Sequence, residues 1–140
     1  MNSEAIYQAF FGLLSGSASF QTSSRRLKHW SDVPPEEQPA LFVCQKERDV
    51  ESKRTNLPGI WHLEVQVWIY AWSADPDQVP SSVLNPLVDA VRDAISPNGG
   101  SQTLGGLVTA CQISGKIEDD EGLLGDQAVA MIPVTILVPG

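Results

Sequence analysis

The segment HLEVQVWIYAW, residues 62 to 72, constrains the fold more than any other stretch of this chain. Leu63, Val65, Val67, Ile69 and Ala71 fall at every second position, the period of a strand with one buried face. The opposite face begins polar at His62, Glu64 and Gln66 and then turns aromatic at Trp68, Tyr70 and Trp72, where an antiparallel sheet ordinarily meets water. Such side chains bury on the order of 150–250 Å² each, so leaving all of them wet would expose about 450–750 Å², rivalling the largest patch on a typical monomer. Covering that surface is worth at most roughly 11–19 kcal/mol before ordering costs. Either residues 20–30 and the first helix fold over this face, or another subunit does. If both helices pack on the side of residues 65–69, the cover falls to neighbours.

The rest of the chain supplies the partners of that strand. Ile6, Ala9, Phe10, Leu13 and Leu14 recur at helical spacing behind Ser3, a possible cap, and before Gly16, so a helix is predicted over about residues 3–15. FQTSSRRLKHW alternates poorly and reads as an extended segment or short strand; the prolines of DVPPEEQP make a rigid loop into the strand ALFVCQKE. KERDVESKRTN reads as a charged hairpin tip, protruding over about residues 45–57, and is either solvated or an arm that reaches another subunit. Val83, Leu84, Leu87, Val88, Val91 and Ile95 mark a second helix, with an irregular start at Pro86. Strands are predicted at about 106–117 and 127–138, joined by the acidic turn EDDEGLLGD, with Pro133 at an edge or bulge. The string reads as one α+β domain over residues 1–140, a mainly antiparallel four- to five-stranded sheet with two helices on one face.

The formal charge of −8 argues against a protein that grips nucleic acid by neutralising phosphates, while leaving room for an acidic wall past which DNA slides. The start of the chain lacks a basic leader and no apolar run is long enough to span a bilayer, so the expectation is a soluble protein, cytoplasmic when made, without a membrane partner. Cys44 and Cys111 are too few for a disulfide framework and read as reduced, packed thiols.

Catalytic and cofactor chemistry finds no foothold. His29 and His62 belong to no metal-ligand spacing, and Glu118, Asp119, Asp120 and Glu121 lack the alternating spacing and central glycine of a calcium loop. Gly115-Lys116 lacks the glycine spacing of a phosphate loop. No cofactor and no enzymatic activity are expected. Arg25, Arg26, Lys28, His29 and Trp30 form the one basic, aromatic-tipped cluster, better suited in so acidic a chain to a partner's acidic surface than to phosphate.

Across RRLKHWSDVPPEEQPALFV, LPGIWHLEVQVWIYAW, LNPLVDAVRDAISP, QTLGGLVTACQISGKI and QAVAMIPVTILV the sequence resembles the tail terminator, or tail-completion, proteins of long-tailed bacteriophages. The resemblance implies a virion protein, assembled in the host bacterial cytoplasm, that forms a hexameric ring on the head-proximal end of the tail tube. Such a ring stops tube growth and offers a surface for the head-tail connector and neck proteins, with DNA passing through its lumen without specific binding. The candidate subunit and partner contacts are Arg25, Arg26, Lys28, Trp30, Lys46, Arg48, Lys53, Arg54, Trp68, Tyr70 and Trp72. A neck or head-tail connector protein of similar fold is the nearest alternative, and a small ligand-binding domain or enzyme, marked by a deep apolar pocket, a further one.

Overall fold

In the computed structural model, which describes residues 1–52, 55–122 and 125–140, the aromatic strand lies in the middle of the sheet. The chain runs α1 (Ser3–Ser15), β1 (Thr22–Ser24), β2 (Ala40–Glu51), β3 (Ile60–Trp72), α2 (Pro80–Ile95), β4 (Ala110–Ile113), β5 (Glu118–Glu121) and β6 (Gln127–Pro139). Among the described residues six strands form one sheet in the order β1-β2-β3-β6-β4, with β5 also on β6. All pairs are antiparallel except β1 with β2. The architecture is α+β as the sequence predicts, with two short strands beyond the long antiparallel set. One is the three-residue β1, within the segment expected to be extended or a short strand. The other is Glu118–Glu121, which is a strand rather than part of a turn.

The length of β6 explains this second strand. β4 pairs only with its residues 134–137, and without β5 the backbone groups of residues 128–131 on that side would have no partner. Four carboxylates at a sheet edge also discourage edge-to-edge pairing with other chains. Pro133 falls in the gap between the two short strands, whose flanking pairs are Ile113 with Val134 and Glu118 with Met131. Its carbonyl accepts from the Ser114 N–H at 2.9 Å, so the missing N–H faces the gap and the ladder with β3 stays whole. Pro133 is therefore tolerated inside a central strand, not at an edge or bulge.

Both helices pack on one face of the sheet. Ile6, Tyr7, Phe10 and Leu14 of α1 and Leu84, Val88, Val91 and Ile95 of α2 close over Leu41, Val43, Leu63, Val65, Val67 and Ile69, joined by alternate residues of β6 from Ala128 to Val138. The cap of α1 is Asn2, whose Oδ1 accepts the Ala5 N–H at 3.2 Å, in place of Ser3. Helix α2 begins at Pro80, so Pro86 sits inside it and not at an irregular start. The cost is contained because Ser82, Asn85 and Pro86 are all exposed, and the carbonyl that Pro86 leaves free can bond water.

The charged hairpin is less free than its composition predicts. β2 stays in register with β3 as far as Glu51 opposite Ile60, and β6 backs β3 to Pro139 opposite Ile60. Residues 45–51 therefore belong to the sheet. Lys53 and Arg54 lie outside the described residues. The register shifts between Gln45 and Glu47, so Lys46 is the extra residue of a bulge.

Candidate assembly interface

The face opposite the helices holds the aromatic side chains. Phe42, Trp68, Met131 and Glu118 form one cross-strand row, and Ala40, Tyr70, Val129 and Asp120 the next. Val33, Ala40, Phe42, Tyr70 and Val129 make a second, small core here, with Trp30 and Trp68 packed against it half-buried. The Phe42 and Tyr70 rings lie 5.3 Å apart in a tilted pair.

Residues 25–38 lie over part of this face as a strap and supply cover from within the chain. Tyr70 is only 3% exposed, and its hydroxyl donates to the Lys28 carbonyl at 2.6 Å. Burial pushes the Tyr70 phenol up to about 12, because the phenolate would lose its hydration. At the far end Gln38 Nε2 donates to the Val33 carbonyl at 3.0 Å and to Gln127 Oε1 at 2.6 Å, a buried link from strap to β6. Helix α1 takes no part in this cover because it sits on the other face. A single copy thus hides Tyr70, while Trp68 and Trp72 are half-buried. Of the two sources of cover left open by the sequence, the chain's own strap supplies that of Tyr70, and it does so without α1.

The sequence-derived candidates divide by what they already touch. Arg25 is committed within the chain: its guanidinium grips Glu4 through Nη1–Oε2 at 2.6 Å and Nη2–Oε1 at 3.0 Å and stands over the Tyr7 ring. Hydrogen bonding to Arg25 holds the Glu4 carboxyl below its usual range, and the same contact raises Arg25. Arg48 approaches that ring too, at 5.9 Å from its centroid, on the helix face. Arg26, Lys28 and Lys46 are exposed. Trp30 and Trp68 both pack against the small core and line one groove, so the basic segment and the aromatic strand share one surface. Trp72 sits opposite Gln127, beyond that core.

Between strap and β5 lies an open groove of about 790 Å³. Its floor is Trp68, Tyr70, Val129 and Met131, the strap wall carries Leu27, Lys28, His29 and Trp30, and the opposite wall is Glu118, Asp119 and Asp120. These carboxylates escaped sequence reasoning as part of a surface because they read as a solvated turn. Phe42 escaped it too, although the alternation of Ala40 and Phe42 with Leu41 and Val43 is a signal that could have placed it beside Trp68. A second, shallower depression beside Lys46 is lined by Glu47, Asp49, His62 and Glu64; the Glu64 carboxylate accepts from the Thr135 hydroxyl at 2.8 Å. Among the described residues no group of His, Cys, Asp or Glu is placed to hold a metal ion, and no helix is long and apolar enough to cross a membrane.

No family model matches the chain, and no curated protein matches it. Among solved structures, a chain from the virion of a native gene transfer agent particle is similar in fold, with a TM-score of 0.51 and 12% identity. The match covers 96% of this chain and 92% of that one.

Proposed function

We propose that this chain is a structural, non-enzymatic protein of a phage-like particle, forming a hexameric ring that caps the head-proximal end of the tail tube and receives the head. The observation that carries this reading is the end-to-end fold likeness to a chain of a gene transfer agent virion. Two physical features support it. Trp72 stays half-buried on the sheet face beyond the groove and the small core, and the hairpin at the other end presents Val50, Leu57 and Ile60, about half-exposed each. These patches differ in composition and lie at opposite ends of β3, roughly 40 Å apart at strand rise. Contacts between unlike patches are heterologous, and heterologous contacts close into rings when the rotation permits.

Native mass spectrometry and negative-stain imaging of the purified protein, alone and with tail tubes, test the reading. Rings, or a cap at one tube end, are expected. A strict monomer at high concentration that also ignores tubes refutes it. Capture by connector protein in place of tube protein would move the role to the neck.

A further inference from the structure

The groove between strap and β5 has a composition that a ring contact does not by itself explain. Its floor and strap wall offer aromatic surface, with Trp30 and Trp68 half-buried, while Glu118, Asp119 and Asp120 stand exposed along the facing wall. Glu118 and Asp120 pair with Met131 and Val129, so they project on the same face as the floor. Glu121, the remaining acid of the strand, is already occupied at the start of α2, where its Oε2 accepts the Ser81 N–H at 2.7 Å. Against three carboxylates the lining sets one ammonium, Lys28, and that lies on the opposite wall.

We infer that this groove docks a cationic, aliphatic-bearing polypeptide segment of a partner protein, an Arg or Lys side chain lying against the indoles with its charge toward the β5 carboxylates. The argument is charge complementarity. A guanidinium within about 6 Å of an indole face is attracted by the ring, and a carboxylate wall beside it adds a charge-assisted contact. Phosphate-bearing partners are repelled by the same wall. A second copy of this chain is a poorer occupant, because it brings a net charge of −8 to an acidic groove. The inference goes beyond the tail-ring reading and stands on the groove alone, so it survives if no ring forms.

The test uses the full chain and two synthetic peptides, acetyl-Arg-Leu-Arg-Leu-Arg-amide and the same peptide with Glu in place of Arg. Nitrogen-15 NMR would follow the Trp68 indole N–H, assigned through W68F, and the amides of residues 118–120. The expected result is saturable shifts at these positions with the arginine peptide only, at a dissociation constant of about 1 mM or tighter. In E118Q/D120N, shown folded by its spectrum, binding should weaken about fivefold, the effect of two exposed charge contacts. Absence of saturable shifts in the folded wild type up to about 5 mM peptide overturns the inference. So does equal affinity in the double variant, or equal binding of the glutamate peptide. Dissociation of a pre-existing homo-oligomer by the arginine peptide would assign the groove to a second copy and overturn the foreign partner.

Discussion

The Tyr70 phenol is the clasp between strap and sheet, and its titration offers a sharp check on the geometry. It is buried, its hydroxyl donates to the Lys28 carbonyl, and its folded pKa stands at about 12 against the ordinary tyrosine value of about 10. The protonated form is the one the fold binds. Its stabilisation is therefore complete below about pH 10 and is lost as the pH rises toward 12. At about 1.36 kcal/mol per pH unit, wild type should lose about 2 kcal/mol by about pH 11.5 on account of this group. Tyr70→Phe removes the hydrogen bond, worth about 0.5–1.5 kcal/mol, and with it the titration. Urea unfolding of both proteins at about pH 8 and about pH 11.5 separates the effects, because every other titrating group is common to the pair. The variant should be less stable at the lower pH by about 1 kcal/mol and more stable at the higher one by a similar amount. A stability difference that stays constant across this range would refute the placement of the strap over Tyr70.

Other outcomes follow from single contacts. Glu121→Ala deprives the first turn of α2 of its side-chain acceptor for the Ser81 N–H, and urea unfolding should register a loss of about 0.5–2 kcal/mol. Gly59→Ala would place a Cβ 2.7 Å from both the Glu51 carbonyl oxygen and Val50 Cγ2, so the hairpin must shift. A loss of about 1–3 kcal/mol is expected, read as a lowered thermal midpoint. Burial pushes the Cys111 thiol up to about 12, whereas Cys44 is only half-buried. A thiol reagent at about pH 8 should therefore modify Cys44 in the native protein and reach Cys111 only after denaturation; equal native rates would contradict the burial.

What could be read from the sequence was what periodicity encodes. The spacings of residues 6–14 and 84–95 and the alternation in residues 63–71 and 128–138 placed both helices, the central strands and the helix-bearing face, because each element must bury a stripe or a face of fixed period. Elements held by the needs of a neighbour were not legible. Nothing in Glu118–Glu121 favours a strand locally; it is extended because β6 outruns β4 and its backbone groups require partners. Nothing in residues 46–51 departs from a solvated loop except that β3 lies alongside to pair them.

The same distinction governs the candidate surface. Counting aromatic positions identified a face that needs cover, yet the count assigned no share of it between strap and neighbour, since that depends on where the prolines send residues 25–38. Once the strap lies on Tyr70, it does two things together. It removes the most deeply set ring from competition for partners, and by standing across from β5 it turns a flat apolar patch into a groove with one acidic wall. A flat apolar patch discriminates little among greasy surfaces, whereas an acidic wall disfavours anionic ones. The strap thereby exchanges non-specific stickiness for selectivity.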